Sequence, residues 1–128
     1  MRNKKILVAD DNESFRKGFV NYLNSQKGLS VVGEASDGYE ALTLSTRLRP
    51  DIIMMDIAMP KIDGITSARM IKRKYPDINI VIVTMYDEEA YRKLMEKLPV
   101  DGFISKASLS ADLFEVLKKI KVNRRHVN

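Results

Sequence analysis

Short apolar runs alternate with longer stretches in which apolar residues recur at helical spacing, and the alternation continues along the whole chain. Ile6-Leu7-Val8-Ala9 is a continuous apolar run, the pattern of a parallel strand buried on both faces. It ends in Asp10-Asp11. Phe15, Phe19, Tyr22 and Leu23 then follow at helical spacing, with Gly28 as a stop. Residues 30–35 read as a second strand, Asp37-Gly38 as a turn, and 39–48 as a helix with Ala41, Leu42, Ser45 and Leu48 on one face. Pro50 ends that helix. Residues 51–55 predict a third strand ending in Asp56, and 59–64 a loop with turn chemistry at both ends. The spacing predicts a helix over 65–75 with Ile65, Ala68 and Ile71 inward, closed by Pro76. Residues 80–83 form the most apolar strand, ending in Thr84. A charged helix over 87–98, a strand over 102–105 ending in Lys106, and a helix over 110–120 complete the pattern.

Five strands alternating with five helices call for an α/β fold, a parallel sheet covered on both faces. Right-handed crossovers place every strand's C-terminal end on one edge of that sheet. No internal repeat or low-complexity segment interrupts the pattern.

Composition narrows the chemistry. The 128 residues fit one domain, and the absence of cysteine excludes disulfides, zinc-thiolate sites and cysteine nucleophiles. No apolar run reaches membrane-spanning length and none suits a signal peptide, so a cytoplasmic protein is expected. The net charge of +5 hints at an acidic partner, but the basic residues are spread over several helices. They are dense only in Lys118, Lys119, Lys121, Arg124 and Arg125, which read as a solvated helix end running into a linker. The single histidine, His126, lies in this tail and reads as solvated.

Asp10-Asp11, Asp56, Thr84 and Lys106 each sit just past the end of a different strand. Alone, each has a bland reading: acidic pairs cap helices, and a lysine at a strand end is usually solvated. Together they land on the one edge where ligands of open α/β sheets bind. Three crowded carboxylates repel one another, and a divalent cation relieves the conflict. Oxygen ligands without histidine or cysteine suit Mg²⁺ or Mn²⁺. Lys106 and Thr84 would then meet phosphoryl oxygens, and Asp56, a single acid after the central strand, is the best candidate nucleophile for an aspartyl phosphate. Asp10-Asp11 looks like the metal anchor.

The chain here resembles the receiver domains of two-component response regulators, over about residues 4–120. The matching motifs are Ile6-Leu7-Val8-Ala9-Asp10-Asp11-Asn12, the stretch from Pro50 through Asp56 to Gly64, the strand ending at Thr84, and Asp101-Gly102-Phe103-Ile104-Ser105-Lys106. The resemblance implies a flavodoxin-like doubly wound (βα)5 fold with strand order 2-1-3-4-5. It implies Asp56 as phosphoacceptor, Asp11 as direct Mg²⁺ ligand, Asp10 as a ligand largely through water, and the Ala58 carbonyl as a further ligand. Thr84 and Lys106 would contact the phosphoryl group, and Phe103 aligns with the family's switch aromatic. The implied partner is a sensor histidine kinase, with a homodimer formed on phosphorylation.

Departures from the family pattern refine the reading. Ala107 stands where many receivers have proline; with Ser108 to Leu113 opening the last helix, this looks like the LuxR-type regulators, whose output is a helix-turn-helix domain. On that reading residues 1–121 are the receiver, 122–128 are a tail or the start of a linker, and DNA is met only through a domain beyond this chain. Met85 puts a bulky residue where a small one is usual and would narrow access to Asp56. Ala58 and Tyr86 offer no acid or amide to orient water, so a long-lived phosphoryl form is expected. Leu98-Pro99-Val100 replaces a small-residue lead into the fifth strand. The competing readings are a stand-alone chemotaxis-type receiver, a Mg²⁺-dependent aspartyl-phosphate phosphatase, a flavodoxin-like FMN binder and a docking module. The phosphatase wants a second acid where Ala58 stands, and the FMN binder a Ser/Thr/Gly-rich loop where Asp10-Asp11-Asn12-Glu13 stands.

Overall fold

The computed structural model describes residues 3–85, Lys93 and 96–120. In chain order it contains β1 (Lys4–Ala9), α1 (Glu13–Asn24), β2 (Leu29–Ala35), α2 (Gly38–Leu48), β3 (Ile52–Met55), α3 (Gly64–Lys74), β4 (Asn79–Thr84), β5 (Gly102–Ser105), a 3₁₀ turn (Lys106–Ser108) and α4 (Leu109–Lys119). The five strands are parallel, in the order β2-β1-β3-β4-β5. Most of the charged helix expected over 87–98, and the tail from residue 121, lie outside the described residues. Among the described residues no helix is long and apolar enough to cross a membrane.

The continuous apolar runs resolve into two faces because successive strand side chains point to opposite sides. Leu7, Ala9, Ile53, Met55, Ile80 and Ile82 pack on one side with Ala41, Ala68 and Ile71 of α2 and α3. Ile6, Val8, Ile52, Met54, Val81 and Val83 pack on the other with Phe19 and Leu23 of α1 and Leu113 and Leu117 of α4. Burying each such aliphatic side chain contributes roughly 1.5–3 kcal/mol. The sheet is therefore rigid where its C-terminal edge carries chemistry.

The N-terminal edge is pinned by two acids. Asp51 accepts from the Lys5 N–H (2.8 Å), and Asp101 accepts from the Ile80 N–H (2.8 Å) and the Lys72 ammonium (2.8 Å). Leu98-Pro99-Val100 closes tightly, Val100 N–H donating to the Leu98 carbonyl (2.8 Å), with Leu98 buried.

One expectation changes. Asp37-Gly38 is a helix start rather than a free turn: Asp37 caps α2, its side chain accepting from the Glu40 N–H (2.8 Å). Glu40 reaches back to the Ser36 N–H (2.7 Å), which further fixes the entry of the chain. Gly38 is required by space, since a Cβ there would strike the Ile62 carbonyl. The far end of α2 closes with Arg49 in the left-handed region (φ 47°), directly before Pro50. Its guanidinium lies 4.2 Å from the centre of the Tyr75 ring.

Candidate functional site

The strand order reverses between β1 and β3, the switch point outside whose strand ends open α/β sheets bind ligands. The parallel ladder continues one residue past each strand. Asp10 N–H donates to the Ala35 carbonyl (2.9 Å), and Asp56 N–H donates to the Ala9 carbonyl (2.9 Å). That added rung fixes both acids on the rim. Asp10 is 2% exposed and Asp56 8%, whereas Asp11 projects into solvent. Oxygens of the three carboxylates lie within 4.8 Å of one another.

Lys106 enters from the 3₁₀ turn after β5. Its ammonium sits 2.8 Å from Asp10 Oδ2 and 3.4 Å from Asp56 Oδ2. The other oxygens of the two acids are held by backbone: Asn12 N–H donates to Asp10 Oδ1 (2.9 Å) and Ile57 N–H to Asp56 Oδ1 (2.7 Å). Burial, and next the Asp10 charge, push the Asp56 carboxyl above the usual carboxylate range; Lys106 and the Ile57 N–H offset this only in part. A buried acid strained by a neighbouring acid, in an all-oxygen set open to solvent at Asp11, fits a hard divalent cation.

Thr84 is buried at the end of β4 and pairs in register with Ser105, the residue before Lys106. Thr84 and Lys106 therefore belong to the same edge of the sheet as Asp10 and Asp56. Phe103 lies in β5 opposite Ile82 and is half-buried against the α2–α3 side of the core. Ala58 is exposed in the loop after Asp56. Met85, directly after Thr84, is 73% exposed. Tyr86 and His126 lie outside the described residues.

Two further residues, Arg16 and Phe15, join the site. Arg16 donates to the Asp10 carbonyl through Nη1 (2.7 Å) and to Glu34 Oε1 through Nε (2.9 Å). The Arg16 hydrogen bond holds the Glu34 carboxyl below its ordinary range. Phe15 places its ring centre 4.1 Å from the Lys106 ammonium. Glu34 and Lys106 are distant in sequence, so helical spacing carried no signal for these contacts.

Response regulator GacA of Pseudomonas aeruginosa is 31% identical over 124 residues, covering 97% of this chain and 58% of that protein. Response regulator protein VraR of Staphylococcus saprophyticus is 37% identical over 117 residues, covering 90% of this chain and 55% of that protein. The chain thus spans little more than half the length of these curated relatives. The crystal structure of a LuxR-family two-component response regulator from Aurantimonas superposes with a TM-score of 0.84 at 29% identity, covering 91% of this chain and 83% of that one. The family described as the response regulator receiver domain matches residues 6–118, and the chain belongs to it, on the LuxR-like side.

Proposed function

We propose that the chain is the phosphoacceptor switch of a two-component system, with Asp56 taking a phosphoryl group from a sensor histidine kinase. The observation that carries this is the meeting of the Asp56 carboxylate with the Lys106 ammonium at 3.4 Å, beside two further acids. An Asp56 carboxylate oxygen forms the new bond to phosphorus while the bond to the donor breaks, the donor keeping the electron pair.

Asp10, Asp11, Asp56 and the Ala58 carbonyl would hold Mg²⁺, or Mn²⁺ in its place. The ion would neutralise charge on the transferring group. Lys106 and Thr84 bind phosphoryl oxygens, and Phe103 turns inward as Thr84 moves. Charge-assisted hydrogen bonds contribute roughly 1.5–3 kcal/mol each. Two or three of them therefore match the about 5.5 kcal/mol needed to reverse a two-state population from 1:99 to 99:1.

Residues 1–121 form the switch and 122–128 lead toward an output unit. The likeness to LuxR-family regulators and the greater length of the relatives support transcriptional control through a DNA-binding domain, with homodimerisation on phosphorylation. With Ala58 beside the acceptor, the phosphoryl form outlasts minutes in the isolated domain; loss within minutes contradicts this.

The test is intact mass after incubation with Mg²⁺ and acetyl phosphate. The wild type gains one phosphoryl group and Asp56→Asn gains none. If neither gains it, even from a phosphohistidine donor, the chain is a docking module.

A further inference from the structure

Lys106 is held by more than the acids it neutralises. Four contacts form a closed circuit around it. Asp10 Oδ1 accepts from the Asn12 N–H (2.9 Å), and the Asn12 side chain accepts from the Phe15 N–H (3.0 Å), capping α1. The Phe15 ring centre lies 4.1 Å from Lys106 Nζ, and Lys106 Nζ returns to Asp10 Oδ2 (2.8 Å). The ring is itself braced, 5.5 Å between centroids from Phe19, which is buried in the core. The cap thus fixes the backbone of Phe15 and the core fixes its ring.

We propose that Phe15 is a positioning residue for Lys106, its aromatic face aiming the ammonium at the position where phosphoryl oxygens develop charge. The proposal rests on the phosphoacceptor reading above. A lysine stem carries several rotatable bonds, and ordering it costs conformational entropy. The negative face of the ring attracts the ammonium and excludes water on that side, so part of that ordering is complete before a donor arrives. When a divalent cation occupies the carboxylates, it competes with the ammonium for Asp10. The ring remains as a support that the metal does not take away.

Leucine fills most of the ring's apolar volume but has no quadrupole, whereas tyrosine keeps both. Under saturating Mg²⁺ and acetyl phosphate, Phe15→Leu lowers the maximal phosphorylation rate about threefold to tenfold, with the half-saturating donor concentration little changed. Phe15→Tyr restores the rate to within about twofold. In a Lys106→Met background, Phe15→Leu has no further effect, because the partner is gone. Equal losses in the leucine and tyrosine variants, or a leucine effect that persists without Lys106, reduce Phe15 to core packing and overturn the proposal. A second readout does not need phosphorylation: the ring shifts the NMR signals of the Lys106 ε-methylene protons upfield in wild type and Phe15→Tyr but not in Phe15→Leu. A wild type without that shift overturns the ring contact itself. A wild type that shows the shift yet takes up no phosphoryl group overturns the phosphoacceptor reading, and the positioning role with it.

Discussion

Gly64 packs flat against the backbone of Asp56: its N–H donates to the Ile57 carbonyl (2.7 Å), and a methyl group on its Cα would fall on the Asp56 carbonyl oxygen. The glycine that opens α3 therefore sets the height at which the acceptor's peptide sits. Helix propensity alone favours Gly64→Ala by about 1 kcal/mol. The steric term is larger and opposite, because the obstacle is backbone rather than a flexible side chain. Gly64→Ala is expected to lose about 2 kcal/mol of stability in urea denaturation and about tenfold in phosphorylation rate. Gly18→Ala is the control. Gly18 lies inside α1 with nothing within 4 Å of its added Cβ, so it should gain about 0.5–1 kcal/mol. A stabilising Gly64→Ala would show that the loop after Asp56 yields freely.

The raised affinity of Asp56 for its proton has a definite sign in stability. Burial and the Asp10 charge make the folded protein hold this proton more tightly than the unfolded chain. Stability contributed by Asp56 is then highest in acid and falls as pH rises from the ordinary carboxylate range through the folded-state value. Above that window the ionised acid is a standing cost. Asp56→Asn is expected to be more stable than wild type at neutral pH by on the order of 1 kcal/mol, and equal to it in acid. Mg²⁺ should recover most of the difference for the wild type and do little for the variant. Urea denaturation at both pH values, with and without Mg²⁺, checks this. An Asn variant that is less stable at neutral pH would mean that Lys106 more than offsets the burial of the charge.

Most of the fold was legible because each central strand is buried on both faces, so its run is apolar without interruption and ends abruptly at a polar residue. Ile52–Met55 and Asn79–Thr84, buried at every position, were legible for that reason. The acids and Lys106 were legible because they are those terminating residues. Gly38 and Gly64 were read as turn residues, since their role depends on the backbone of Ile62 and Asp56, which approaches from a distant part of the chain. Phe15 was read only as part of the apolar face of α1, and Arg16 carried no signal: β2 and the turn after β5 bring Glu34 and Lys106 to them, and no local spacing records it.

Arg16 ties the corner that carries the acidic pair to the neighbouring strand. It bridges the Asp10 carbonyl and Glu34, with only 12% of its side chain exposed. Arg16→Met keeps the apolar stem, takes the side-chain donor from the Asp10 carbonyl and leaves Glu34 with Lys17 alone (3.3 Å). It should cost about 1–3 kcal/mol and weaken Mg²⁺ binding as the corner loosens. Arg16→Lys should not rescue it, because one ammonium cannot reproduce the fork to two separate oxygens. A double-mutant cycle with Glu34→Gln measures the side-chain pair separately from the carbonyl contact. Full rescue by lysine would leave only charge, and not geometry, as the function of Arg16.

Lys106 occupies the position from which it both helps a phosphoryl group and opposes a metal. Its ammonium neutralises Asp10 at 2.8 Å and approaches Asp56 at 3.4 Å, so a divalent cation must bind against a positive charge already in place. Lys106→Met removes that competitor while keeping a side chain of similar length. Mg²⁺ affinity, read by calorimetric titration at neutral pH, is expected to tighten about threefold to tenfold, a modest figure because the site opens to solvent. The phosphorylation rate is expected to fall by about two orders of magnitude, since the charge that develops on the transferring group loses its only nearby lysine donor among the described residues. The two effects have opposite signs, which separates them from general damage to the fold: a loosened edge would weaken metal binding and phosphorylation together. Unchanged or weaker Mg²⁺ binding in Lys106→Met would mean that the ammonium swings clear of the acids when the metal arrives, and that its contact with Asp10 belongs to the metal-free state alone.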